Sequence, residues 1–271
     1  MIGSIIGDSI GSIYEFDNVK TKDFELFSPN SEPTDDSVLT IATADWILHG
    51  GAVVDYYCKY ASDYPYPAGG YGESFLNFVN QMNSGKTPKP YNSCGNGSAM
   101  RVGPVGWAFD TKEEVLAKAK ESAECTHNHP EGIKGAQATA LAIFMARKGC
   151  GKDEIRKAIE SEFGYDLSWN LDELRPYYSW AFEGAALCQG TVPQAICCVL
   201  AASDFEDAVR NAVSLGGDSD TLACITGSIA EPLFGIPQRL YKYIMNLMQG
   251  TYPEAKKIVL EFEKTFGCRV I

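Results

Sequence analysis

Pro33-Thr34-Asp35-Asp36-Ser37, running without a break into the apolar-periodic stretch Val38 to Leu48, decides how this chain is read. A hydroxyl and two adjacent carboxylates stand where the periodicity begins and Gly50-Gly51 where it ends, so the stretch predicts a helix. Thr34 is placed to cap free backbone N–H groups, and the positive end of the helix dipole favours the two carboxylates. Capping alone accounts for one such cluster. A counterpart, Gly216-Gly217-Asp218-Ser219-Asp220-Thr221, opens a second helical run at Leu222 to Leu233. Together Thr34, Asp35, Asp36, Asp218, Asp220 and Thr221 supply four carboxylates and two hydroxyls, the oxygen donors that hard divalent cations take. The expectation is one shared site for two divalent cations, Mg²⁺ or Mn²⁺, because four converging carboxylates without a cation would repel one another strongly.

Working outward, Gly3-Ser4-Ile5-Ile6-Gly7-Asp8-Ser9-Ile10-Gly11 sets small residues at near-helical spacing, so another backbone or a ligand can approach closely. Residues 17 to 33 read as a loop, with a mobile lid as one possibility. Helical patterns follow at 52–62, from Ser74, and at 111–124, 131–148, 152–162, 192–202, 204–214, 221–233, 237–248 and 252–265. Their limits are taken from Gly149, Gly151, Pro193, Pro232, Pro237 and Pro253. Alternating strand patterns are nearly absent, so the fold class predicted is all-α, a compact single domain over 1–271. Trp46, Trp107 and Trp180 sit in apolar surroundings and are expected in the core, whereas Tyr64, Tyr66 and Tyr71 lie in a Pro/Gly loop that can border a pocket.

The net charge of −12 leaves no basic stripe for a nucleic-acid backbone. It leaves room for a phosphate-bearing small molecule, which a pocket can hold with backbone N–H groups and cations. Nine cysteines without CxxC spacing point to a reducing compartment, and the opening residues carry no signal-peptide pattern, so a cytoplasmic location is expected. No run approaches the roughly 20 apolar residues of a membrane span.

The set Gly7-Asp8-Ser9-Ile10-Gly11 with Glu15, Thr34-Asp35-Asp36, Gly95-Asn96-Gly97-Ser98-Ala99-Met100-Arg101, Thr126-His127 and Gly217-Asp218-Ser219-Asp220-Thr221 resembles the ADP-ribosylglycohydrolase family. The resemblance implies an all-α orthogonal helical bundle with a binuclear Mg²⁺ or Mn²⁺ centre that removes ADP-ribose from modified side chains or related acceptors. It implies metal ligation by Thr34, Asp35, Asp36, Asp218, Asp220 and Thr221, and a ligand lined by Ser93, Gly95, Asn96, Gly97, Ser98 and His127 on its pyrophosphate and adenosine side. Cys94 stands where some relatives place an aromatic. Asp35, Asp36 and Glu15 are the candidates for proton transfer to or from a water that traps an oxocarbenium-like centre. The implied partner is ADP-ribose or an ADP-ribosylated protein, the acceptor being arginine, serine or another group.

The residues also admit other readings. Gly95 to Ser98 suits an anion, since glycines let N–H groups turn towards it, and also suits an ordinary turn before a helix. Arg101 is open to a phosphate or to an ion pair with a surplus acid. His49 at a helix C-terminus is expected to be a dipole-favoured cation and His129 a cap. An ADP-ribose-binding protein that has lost turnover remains an alternative from another class. Asp218-Ser219-Asp220-Thr221 also imitates the DxDxT motif of haloacid dehalogenase-type phosphatases, but that motif needs a preceding strand and Phe205 to Leu215 is patterned as helix.

Overall fold

The computed structural model describes all 271 residues, which form helices joined by loops, with three isolated β-bridges and no sheet. The first half holds α1 (Ile2–Gly11), α2 (Asp35–His49), α3 (Val53–Asp63), α4 (Glu73–Asn83), α5 (Gly97–Met100), α6 (Gly103–Ala108) and α7 (Lys112–Glu124). The second holds α8 (Pro130–Arg147), α9 (Lys152–Phe163), α10 (Leu171–Leu174), α11 (Cys188–Ala201), α12 (Phe205–Leu215), α13 (Ser219–Phe234), α14 (Gln238–Thr251) and α15 (Pro253–Phe266). The all-α expectation is met. Helix α12, not a strand, precedes the DxDxT-like segment, which removes the phosphatase reading.

Two helices make the centre. Every residue of α1 is buried, and Ser219 through Pro232 of α13 are buried without interruption. A helix apolar or small all round belongs inside, whereas α14 buries only Leu240, Ile244, Met245 and Met248, the single stripe of an outer helix. The small residues of α1 explain how closely it meets α13. A Cβ on Gly7 would lie 2.0 Å from the Ala223 carbonyl oxygen, and one on Gly11 would lie 2.5 Å from the Asp220 Cα. The backbones therefore touch, and the seam brings Asp8 of α1 beside the start of α13. Across it the Ser219 hydroxyl donates to the Gly11 carbonyl at 3.0 Å.

Helix limits follow the capping signals more closely than the proline signals. Helix α2 starts after Thr34, whose hydroxyl accepts from the Asp36 N–H at 3.1 Å, and stops at Gly50, which has φ 76°. Pro193 does not start its helix: α11 begins at Cys188, and the proline sits within it. Pro232 likewise lies inside the last turn of α13. Residues 17–33 are irregular as expected, and residues 20–24 are tied to the body of the fold. The Lys20 ammonium donates to the Leu215 carbonyl at 2.6 Å, and the Arg210 guanidinium donates to the Lys22 and Phe24 carbonyls, each at 2.8 Å. Trp46 and Trp107 are core residues, but Trp180 is 44% exposed and corrects the expectation for it. All nine cysteines are free thiols. No helix is long and apolar enough to cross a membrane.

Candidate active site

The two acidic helix starts meet. The Thr221 hydroxyl of α13 donates to Asp36 Oδ1 of α2 at 3.2 Å, joining residues 185 positions apart. Asp35, Asp36, Asp218, Asp220, Thr221 and Glu15 line one cavity of about 450 Å³. Glu15, Asp218 and Asp220 each bring a carboxylate oxygen within 4.8 Å of the others. Two buried oxygens in this nest, Asp36 Oδ2 and Asp220 Oδ1, have no hydrogen-bond partner in the protein. Buried acceptors are almost always partnered, so a hard cation is the partner this donor set fits.

Asp8, to which sequence reasoning gave no separate role, aims the first acidic cluster. Its carboxylate accepts from the Thr34 N–H (2.9 Å), the Thr34 hydroxyl (2.7 Å), the Ser37 N–H (3.1 Å) and the Ser37 hydroxyl. A wholly buried acid on α1 thus holds the free N-terminal donors of α2, and with them the direction in which Asp35 and Asp36 leave the backbone. Asn18 does the same for Glu15. Its amide donates to the Tyr14 and Glu15 carbonyls (2.7 and 3.0 Å) and to the Gly217 carbonyl (3.0 Å), while its oxygen accepts from the Gly217 N–H (2.7 Å). One side chain therefore ties the turn bearing Glu15 to the turn bearing Asp218. No spacing in the sequence signals that tie.

Like charge and burial act in one direction here. Burial first, then Asp218 and Asp8, raise the Glu15 carboxyl to about 7. Asp35, Asp36 and Asp220 are pushed well above the usual carboxylate range by burial and by their acidic neighbours. Burial also raises Asp218, against the hydrogen bond it receives from Asn96. Asp8 rises to about 6 through burial, despite the four donors that favour its charged form.

Across the cavity lie Tyr91, Ser93, Gly95, Asn96, Gly97 and His127. The bridge between Gly95 and Leu187, with the Asn96 N–H donating to the Ala186 carbonyl at 3.1 Å, fixes this loop against the start of α11. Asn96 is turned to the acids: its amide donates to Asp218 Oδ2 at 2.8 Å and to the Thr191 hydroxyl at 3.2 Å. Two of the expected residues commit their hydroxyl hydrogens within the protein. The Ser98 hydroxyl donates to the Gly132 carbonyl at 2.7 Å, and the Thr34 hydroxyl serves Asp8 and the Asp36 N–H. Arg101 makes no ion pair with an acid. It is buried over the Tyr57 ring and donates to the Ser122 carbonyl and the Thr126 hydroxyl. His129 caps α8 as expected, and His49, at the C-terminus of α2, also pairs with Asp45.

The mouth of the cavity is aromatic and glycine-rich. The Trp180 indole N–H donates to the Glu15 carbonyl at 2.8 Å, and its ring stacks with exposed Phe16 at 6.4 Å. Gly69, with φ 73°, passes so close that a Cβ there would lie 3.0 Å from Glu15 Oε2. Of the loop tyrosines only Tyr71 lines the cavity, and Tyr66 is exposed to solvent.

With this geometry in place, the chain's relatives are informative. The sequence model of the ADP-ribosylglycohydrolase family matches residues 1–262. The ADP-ribosylhydrolase ARH3 of Mus musculus is 27% identical across 88% of this chain and 83% of its own length, and that of Homo sapiens is 26% identical across 88% and 85%. The ADP-ribosylarginine hydrolase Tri1 of Pseudomonas putida is 26% identical across 53% of this chain and 39% of its own. Among solved structures, an ADP-ribosylglycohydrolase-related protein complex shares the fold with a TM-score of 0.70 at 23% identity, over 97% of this chain and 95% of the other.

Proposed function

The chain belongs to the ADP-ribosylglycohydrolase family, and on that premise we propose that it is a metal-dependent hydrolase removing ADP-ribose from a modified protein side chain, arginine or serine. The observation that carries this reading is the joining of the α2 and α13 acids, with Asp36 Oδ2 and Asp220 Oδ1 left unpartnered inside one cavity. Asp35, Asp36, Asp218, Asp220 and Thr221 would hold two divalent cations, Mg²⁺ or Mn²⁺. Thr34, whose hydroxyl keeps one lone pair beyond its bonds to Asp8 and Asp36, completes the set. Bound there, the cations would neutralise the acids and orient the hydroxyls of the distal ribose.

The protein's own groups supply the rest. Departure of the acceptor leaves positive charge at the anomeric centre, which the surrounding carboxylates stabilise. Of the acids lining the cavity, Glu15 and Asp35 are partly exposed, whereas Asp36 is 1% exposed and accepts from Thr221. Glu15, raised to about 7, is suited to hold and release a proton near neutral pH. Gly95 and Gly97 leave backbone and His127 within reach of the pyrophosphate, and Asn96 steadies Asp218.

Incubating the protein with ADP-ribosylated acceptors, with and without EDTA, tests the proposal. Release that stops with EDTA and is abolished by Asp35→Ala or Asp220→Ala, at unchanged helical content, is the expected result. Binding without metal-dependent release would instead identify a reader of ADP-ribose, and full activity in either variant would refute the assigned roles.

A further inference from the structure

Arg101, buried at the cavity lining, and Thr126, buried beside it, form a relay to His127, Arg101 bonding Thr126 and Thr126 bonding the ring, in an order that restricts its protons. The Arg101 guanidinium has no carboxylate beside it. Its Nη2 donates to the Ser122 carbonyl at 3.0 Å and to Thr126 Oγ1 at 2.7 Å. A guanidinium only donates, so the Thr126 oxygen is the acceptor of that bond and its own hydrogen must go elsewhere. Its other side-chain hydrogen bond is with His127 Nδ1, at 2.8 Å, and the hydrogen is assigned to that bond. Nδ1 then carries a lone pair, and the single proton of the neutral ring sits on Nε2.

The other side of the ring is kept open. His127 lines the cavity yet is 7% exposed, and its hydrogen bond is made at Nδ1, leaving Nε2 without a partner in the protein. A Cβ on Gly97 would lie 3.2 Å from Nε2, and one on Gly95 would lie 3.6 Å from it. Both glycines therefore leave room for a ligand atom where side chains would crowd the N–H. We propose that Arg101 and Thr126 are positioning residues that lock His127 in its Nε2–H tautomer, making it a neutral donor to an anionic oxygen of the bound ligand. In the reading of the site as an ADP-ribose pocket, on which the ligand part of this inference rests, that oxygen belongs to the pyrophosphate. The locked form excludes His127 as a general base through Nδ1 and as a resident cation. Burial first, and then the Arg101 charge, hold its second protonation far below the usual histidine range.

Nitrogen-15 NMR of the imidazoles, with His127→Asn assigning one of the three histidines, reads the tautomer without any ligand. The wild type is expected to show His127 neutral with an unprotonated Nδ1. Thr126→Val, which keeps the shape and removes the hydroxyl donor, and Arg101→Met are expected to give a tautomer mixture, and Thr126→Ser to restore the wild-type signal. Titrating ADP-ribose should show binding weakened about tenfold in Thr126→Val and unchanged in Thr126→Ser, as for loss of one aligned hydrogen bond to a charged group. In turnover the same variant should raise KM by a similar factor with kcat nearly constant. A wild-type His127 protonated on Nδ1, or a Thr126→Val protein that matches Thr126→Ser in tautomer and affinity, overturns the proposal. If wild type does not bind ADP-ribose, the pyrophosphate assignment falls, while the tautomer stands or falls on the NMR alone.

Discussion

Replacing Glu15 by glutamine should make the cation-free protein more stable at alkaline pH and leave it unchanged in acid. The carboxyl is raised from 4.5 to about 7 in the folded chain, by burial and by Asp218 and Asp8. Between those values the native protein holds a proton that the unfolded chain has released, so stability falls as pH rises through the interval. The penalty is absent below 4.5 and complete above about 7. At 1.36 kcal/mol per pKa unit the shift sets a ceiling of roughly 3.4 kcal/mol. Glu15 is only half-buried and faces an open cavity, so solvent screening reduces the expected effect to about 1–2 kcal/mol. Urea denaturation in EDTA, followed by circular dichroism near pH 8 and near pH 4, measures it. The glutamine variant should gain that amount near pH 8, gain nothing near pH 4, and lose turnover with cations present. Equal effects at the two pH values, or a loss of stability near pH 8, would refute the claim that Glu15 is strained by its acidic neighbours.

Asp8→Ala leaves two N–H groups and two hydroxyls of the α2 start without their acceptor and should cost about 3–5 kcal/mol in urea denaturation, with turnover lost alongside. Gly7→Ala puts a Cβ 2.0 Å from the Ala223 carbonyl oxygen and should cost about 3 kcal/mol or more, because backbone must move to admit it. Mg²⁺ at about 100 times its Kd should stabilise the fold by roughly 2.7 kcal/mol near pH 8. It should do much less near pH 5, where the raised acids keep protons that compete with the cation; a melting temperature insensitive to Mg²⁺ at both pH values would count against the site.

What the sequence disclosed and what it withheld divide along a physical line. Acids beside hydroxyls at helix starts are local signals, and two of them in one chain were enough to anticipate that Thr34 to Asp36 and Asp218 to Thr221 would meet. Helix caps were legible for the same reason. The side chains that hold the site in shape act across long separations and leave no pattern of their own. Asp8 reads as one polar residue in a run of small ones, and Asn18 as one more residue of a loop. Asn96, expected at the ligand from the family resemblance, lines the cavity, and its bond to Asp218 is a long-range tie with no local pattern. Trp180 reads as core by type, whereas its N–H is used at the cavity mouth. Arg101 was expected to find an anion in an acidic protein. Its partners are a carbonyl, a hydroxyl and an aromatic face.

The glycine seam between α1 and α13 has a consequence for how the protein is made. The first helix displays Ile2, Ile5, Ile6 and Ile10, all buried in the finished fold, and the surface that covers it contains Ser219, 208 positions beyond Gly11. At ribosomal speeds of about 5–20 residues per second, that partner emerges roughly 10–40 s later. Throughout that wait the nascent chain carries a sticky segment with nowhere to dock, a natural client for chaperones. Catalytic competence can arise only once synthesis has passed α13, so a fragment that stops short of it is predicted to aggregate and not to retain partial activity.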